Sequence, residues 1–160
     1  MSLYPVIHSV RIAASPQDIW HVLTMPDAGE KWRNAHFETG WQPGETIEIE
    51  ATIGTNRYRD KGQVVQARPH SLLQYTYWSK VSGLPDVPGS YSTITIMLEA
   101  EGADTRLTVE QLVPPSPVHR GKGWEIGEDS GWKHVDFYWR MTLPALKRVA
   151  EEHAGNLRRT

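Results

Sequence analysis

From residue 131 to residue 152 the chain reads GWKHVDFYWRMTLPALKRVAEE. Trp132, Val135, Trp139, Thr142, Leu146 and Val149 recur there at alternating spacings of three and four. That spacing puts them on one face of a helix. Lys133, Asp136, Arg140, Lys147, Arg148 and Glu151 fall on the other side. Two tryptophans on one stripe call for a broad apolar partner. The segment before the helix alternates in the manner of strands, so that partner is expected to be a curved sheet, and a cavity between sheet and helix is expected with it.

Upstream the period changes to two. In residues 6–14, Val6, His8, Val10 and Ile12 share one face while Ile7, Ser9 and Arg11 share the other, which predicts a first strand. Ser15-Pro16 predicts a helix start, with Ser15 as N-cap and Pro16 in the first helical position. Asp18 then suits the positive end of the helix dipole, and Ile19, Trp20, Val22 and Leu23 supply a buried side. Pro26-Asp27 closes this helix and opens a second short one through Trp32.

Four to six further strands are expected. In residues 46–53, Ile47, Ile49, Ala51 and Ile53 alternate with Thr46, Glu48, Glu50 and Thr52. Gly54-Thr55-Asn56 reads as a turn, residues 57–66 as the return strand with Gly62 as a bulge, and residues 72–79 as the next strand. Residues 91–100 and 105–113 predict a hairpin, with Ile94, Ile96 and Leu98 facing the same core as Leu107, Val109 and Gln111. Residues 80–90 (KVSGLPDVPGS) and 114–130 (PPSPVHRGKGWEIGEDS) are rich in Pro and Gly. Long connections of this kind are expected to act as lids beside a binding site, with Trp124 as an aromatic plug.

Composition narrows the function classes. A length of 160 residues fits one domain spanning residues 1–160. Seven tryptophans and six tyrosines stand beside two phenylalanines, a balance that suits a half-wet interior where rings pack and their polar atoms find partners. The net charge of −2 and the dispersed Lys and Arg give no basic stripe for nucleic acid or anionic lipid. Without cysteine the sequence has no disulfide, thiolate nucleophile or Cys-based zinc site. No apolar run approaches the roughly 20 residues that span a bilayer. The start MSLYPVIHSVRI lacks the pattern of a signal peptide, so a cytoplasmic location is expected.

The order of elements, and four phrases within it, resemble a known family. AASPQDIWHVLTMPDAGEKW is similar to the opening of START-like (SRPBCC) proteins, in the branch related to the activator of the heat-shock-protein ATPase (AHSA-type). YRDKGQVVQARPHSLLQYTYW resembles that branch's G-x-V-x-x-x-x-P-x-x-x-L-x-Y-x-W segment. STITIMLEAEGADTRLTVEQ resembles its T-x-I-x-x-x-L-E-x-x-G-x-x-T-x-L-x-V hairpin, and the terminal GW followed by LxxLK resembles its last helix. The resemblance implies an α+β helix-grip fold: a curved antiparallel sheet wrapped around a long C-terminal helix, with two short helices after the first strand. It also implies a hydrophobic cavity, and a superfamily range from lipid carriers and hormone receptors to polyketide cyclases. It carries over no catalytic motif. Pro144 departs from the pattern and is expected to kink the last helix or break one backbone bond.

Chemical motifs are sparse. The histidines at 8, 21, 36, 70, 119, 134 and 153 show no metal-ligand spacing, there is no H-E-x-x-H and no G-x-S-x-G, and neither metal nor cofactor is expected. GWEIGEDSGW lacks the ending of a phosphate loop. The candidates are polar and aromatic groups on inward faces. Tyr58 and Asp60 share one strand face, Tyr75 and Tyr77 another with Leu73, and Gln111 lies beside Val109 and Val113. Trp32, Trp132, Val135 and Trp139 frame the chamber, with Trp124 above it. Asp60, if buried, is either a proton acceptor with a raised pKa or the partner of Arg57 or Arg59.

These residues suggest binding of a small apolar or amphipathic molecule without assured turnover. Two alternatives stay open: a cyclase-like or hydrolytic enzyme using the cavity Tyr and Asp groups, and a co-chaperone-like interaction module. Neither nucleic acid nor stable membrane insertion is expected, and a homodimer is compatible with the sequence.

Overall fold

A computed structural model of the protein describes residues 3–53, 55–79, 84–115, 119–121, 124–126 and 130–159. Strand β1 (Tyr4–Ile12) leads into helices α1 (Pro16–Thr24) and α2 (Pro26–Arg33). Strands β2 (Ala35–Glu38), β3 (Thr46–Ile53), β4 (Asn56–Arg68), β5 (Leu72–Tyr77), β6 (Ser92–Glu101) and β7 (Asp104–Val113) follow. A small hairpin, β8 (His119–Gly121) and β9 (Trp124–Ile126), precedes helix α3 (Ser130–Arg159). The first seven strands form one curved antiparallel sheet in the order β1-β7-β6-β5-β4-β3-β2. Helix α3 lies against β1, β7 and both short helices. This is a helix-grip architecture, as the pattern and the resemblance predict.

Register explains the inner face. Val6, Gln111, Ile94, Tyr75 and Val64 are consecutive partners across β1, β7, β6, β5 and β4, and all five are buried. A parallel row runs through Phe37, Ile49 and Asp60 on β2, β3 and β4. From α3 the predicted stripe meets this face. Trp139, Thr142, Leu146 and Val149 are buried, and Trp132 and Val135 are half-buried.

The start of α1 follows from its sequence. The Asp18 N–H donates to Ser15 Oγ across 3.1 Å, Pro16 occupies the first turn, and Ile19, Val22 and Leu23 are buried. An N-cap of this kind contributes about 1 kcal/mol.

Three features differ from expectation, whereas Pro144 breaks one helical bond as expected. Strand β2 has only four residues, too few to display an alternation. The bulge in β4 falls between Val64 and Gln66, not at Gly62. Gly62 serves close approach instead, since a Cβ there would lie 1.8 Å from the Thr76 carbonyl oxygen. Helix α3 runs through Pro144 and on to Arg159. Pro144 is exposed, so the Arg140 carbonyl that loses its helical donor lies on the watered side, where solvent can replace the bond.

Candidate functional site

Helix α2 presents Gly29, Trp32 and Arg33 on one buried face, at spacings of three and four. Trp32 donates its Nε1–H to the Val22 carbonyl at 3.0 Å, which ties α2 to α1. Arg33 does the same through Nη2 to the Leu23 carbonyl at 2.8 Å. Its guanidinium is otherwise enclosed by rings. The carbon at its centre lies 4.0 Å from the Phe37 ring centroid, 4.4 Å from Trp32 and 5.8 Å from Trp41. Only 6% of Arg33 is exposed, and its Nε has no hydrogen-bond partner among the described residues. Burial pushes its pKa below the ordinary value, and the nearby Tyr75 and Tyr138 phenols oppose that shift.

Trp41 is held in a costly backbone conformation. Its φ is +56°, in the left-handed region that bulky L residues rarely adopt. Such strain costs of order 1–3 kcal/mol and persists where surrounding contacts dictate it. Here the Trp41 N–H donates to Thr39 Oγ1 at 3.2 Å and the indole N–H to the Thr24 carbonyl at 3.0 Å. The ring then meets Phe37 at 6.3 Å and Tyr75 at 5.6 Å.

Beyond this cage the aromatic layer continues toward α3. Tyr75 is buried, lies edge-on to Phe37 at 6.1 Å, and its pKa is pushed up to about 12 by burial. Tyr138 is half-buried and stands edge-on to Trp139 at 5.0 Å. Burial raises its pKa, while the Arg33 charge and the Thr142 hydroxyl act the other way. Trp139 donates its indole N–H to Gln111 Oε1 at 2.8 Å.

The layer ends at a phenol–carboxylate pair. The Tyr77 hydroxyl donates to Asp60 Oδ2 at 2.6 Å. Burial, then the Asp60 carboxylate, drives the Tyr77 pKa well above the ordinary phenol range. Asp60 is 6% exposed and its Oδ1 has no partner among the described residues. Neither Arg57 nor Arg59 pairs with it. Both sit at odd positions of β4 and point to the opposite face from Asp60, and Arg59 instead approaches Glu50 at 3.9 Å.

The described part of the first expected lid packs at this end on the opposite face of the sheet, because Lys61 and Trp78 each lie one residue on from the inward Asp60 and Tyr77. Asp86 is paired with Lys61 and accepts from the Tyr91 hydroxyl at 2.5 Å. Trp78 donates to the Leu84 carbonyl at 3.3 Å. Lys61 and Trp78 bridge β4 to β5 immediately beside Asp60 and Tyr77. Trp124 lies on β9, but its side chain, and with it the expected plug, falls outside the described residues.

The predicted residues thus divide. Asp60 pairs with Tyr77, Gln111 pairs with Trp139 of α3, and Tyr75 is buried beside them on the inner face of the sheet. Trp32 is buried at the α1–α2 junction, and Val135 packs at the edge of the core. Tyr58 is half-buried on β4 opposite Ala51. Trp132 stacks on Tyr4 at 4.3 Å, at the β1 edge. Arg33, Phe37, Trp41 and Tyr138 were not among the predicted site residues. Two of them had a signal in the spacing: Arg33 is four residues after Gly29, and Tyr138 is three after Val135 and four before Thr142. Among the described residues no group of three or more His, Asp or Glu could hold a metal. His8 and His36 instead bond Asp136 and Glu30, at 2.7 and 2.6 Å.

A family described as Activator of Hsp90 ATPase homolog 1-like protein matches residues 13–151. The chain belongs to this family. Its fold recurs in a Cytophaga hutchinsonii protein that is 24% identical, with a TM-score of 0.71 over 95% of this chain and 97% of the other. A Chromobacterium violaceum protein is 17% identical, with a TM-score of 0.69 over 92% and 96%. The Aha1 dimer from Colwellia psychrerythraea is 20% identical, with a TM-score of 0.65 over 92% and 96%. No curated protein matches the chain in sequence. No described helix is long and apolar enough to cross a membrane.

Proposed function

We propose that the protein binds a small amphipathic molecule between the curved sheet and α3. One observation carries the reading: the aromatic layer there holds buried polar atoms, Arg33 Nε and Asp60 Oδ1, that have no protein partner among the described residues. An unpaired buried donor or acceptor costs about 1–3 kcal/mol, more when charged. A ligand that brings partners removes that cost on binding. Apolar burial supplies the rest: about 200 Å² of ligand surface at roughly 25 cal/mol per Å² gives about 5 kcal/mol, of the same order as the association cost. Affinity in the micromolar range is therefore expected, set by shape and a few hydrogen bonds.

The same geometry favours binding over turnover. Asp60 and Tyr77 stand within hydrogen-bonding reach, as acid–base chemistry requires. Yet the Tyr77 pKa lies far above neutrality, so its phenol gives a hydrogen bond and keeps its proton. A thermal-shift screen of long-chain and aromatic alcohols, acids and polyketide-like compounds, followed by calorimetry, tests the proposal. Binders that lose about 0.5–1.5 kcal/mol of affinity in Tyr77→Phe support it. A screen without any binder overturns it.

A second reading, a protein-contact surface, is favoured by Phe137 and Met141. They lie one turn apart on α3 and are 59% and 61% exposed. Sedimentation of the protein beside Phe137→Ser/Met141→Ser tests whether this strip joins copies of the chain.

A further inference from the structure

Among the described residues, the buried guanidinium of Arg33 has no counter-charge within ion-pair distance. Its one hydrogen bond among those residues goes to a neutral carbonyl. Arginine keeps its proton inside proteins, so the charge is permanent at neutral pH. Holding such an ion out of water costs several kcal/mol after relaxation. Three ring faces and the Leu23 carbonyl offset part of that cost. A mere tether between α1 and α2 requires only one donor, and Trp32 already supplies one to Val22.

We propose that Arg33 anchors the acid group of the ligand, so that the molecule bound between sheet and helix is an amphipathic monoanion such as a carboxylic acid. The inference rests on the ligand-binding reading above and names the ligand's chemical class. The Nε–H is the unpartnered donor, and the Phe37, Trp41 and Tyr75 rings continue from it as the apolar bed. Two strands along the sheet from Phe37, Asp60 Oδ1 is an acceptor without a partner among the described residues. A second acid group there would be repelled, whereas a hydroxyl would be matched. The bound species therefore carries its charge at one end only.

Matched pairs of probes test this: dodecanoate against dodecanol, and 2-naphthoate against 2-naphthalenemethanol, each by calorimetry at pH 7. In at least one pair the acid should bind at least about 10-fold more tightly than the alcohol, as expected for a hydrogen-bonded charge. Arg33→Met should bring the acid down to the alcohol's affinity. Arg33→Lys keeps the charge without the planar fork and should retain part of the preference, which keeps the test available if the methionine variant does not fold. Alcohols that bind as well as their acids, or an acid preference that survives Arg33→Met, overturn the anchor and leave the binding site standing. Failure of all four probes to bind the unmodified protein removes both.

Discussion

The indole N–H of Trp139 donates to the Gln111 side-chain oxygen across 2.8 Å, and both residues are buried. This bond joins α3 to β7, the strand next to the β1 edge of the sheet. Gln111→Leu should therefore destabilise the protein by about 1–3 kcal/mol, because the buried indole donor loses its acceptor. Trp139→Phe should cost a similar amount by leaving the amide unpaired. The double variant should cost less than the two together, and urea melts of all four proteins measure that coupling.

The sheet and the stripe of α3 were legible because each has one dry face, and a dry face imposes a period on the sequence. The faces of β3 to β7 follow that rule, which is why Asp60, Tyr75, Tyr77 and Gln111 could be placed inward. Two kinds of feature escaped it. Strand β2 is too short to show a period, and the bulge beside Val65 lies in a Val-Val-Gln run without a turn residue. Arg33 looks like a solvated last-turn cation, yet its flat guanidinium can lie on ring faces as an ammonium cannot. The pairing expected for Asp60 failed on strand parity, since Arg57 and Arg59 are near in sequence but face away.

The interior phenols should limit stability in alkali. In the fold Tyr75 titrates at about 12 rather than the ordinary 10, and the Tyr77 and Tyr138 values are also raised by burial. Raised values mean that the unfolded chain releases these protons first. Their contribution is thus complete below pH 10 and is lost as pH climbs through 10 toward 12 and beyond. Urea midpoints should fall steadily over that window. Tyr75→Phe should flatten the fall, and an unchanged slope would show that Tyr75 is not buried as described. Absorbance near 295 nm should show the interior tyrosines ionising together with unfolding.

Gly62 tests the close approach of β4 and β5. Alanine there would set its Cβ against the Thr76 carbonyl, and a backbone atom cannot swing away as a side chain can. Gly62→Ala should cost about 3 kcal/mol, at the upper end of overpacking effects. Gly102 is the control. Its φ is +66°, but nothing lies near its absent Cβ, so Gly102→Ala should cost only about 1 kcal/mol through backbone strain. Equal losses in chemical denaturation would mean that the β4–β5 contact yields.

The rings of His21 on α1 and His153 on α3 stack 4.4 Å apart and 3° from parallel. Partial burial, and then repulsion from His153, holds the His21 pKa below 6.5, while Asp18 opposes the shift. Asp18 also lies 3.8 Å from His153 Nε2, and Asp27, Lys31 and Glu152 line the groove beside the pair. With a lowered folded value, the unfolded chain takes up the proton more readily. The stability that neutral His21 contributes is therefore present above pH 6.5 and is lost as pH falls through its folded value. Asp18 attracts the proton to His21, but burial and the neighbouring His153 ring outweigh it. His21→Phe keeps an aromatic stack and removes one titrating group. Its midpoint should fall less than that of the unmodified protein between about pH 7 and pH 5, a range chosen to bracket the ordinary histidine value. A parallel fall in both proteins would show that the stack does not couple α1 to α3 through its charge.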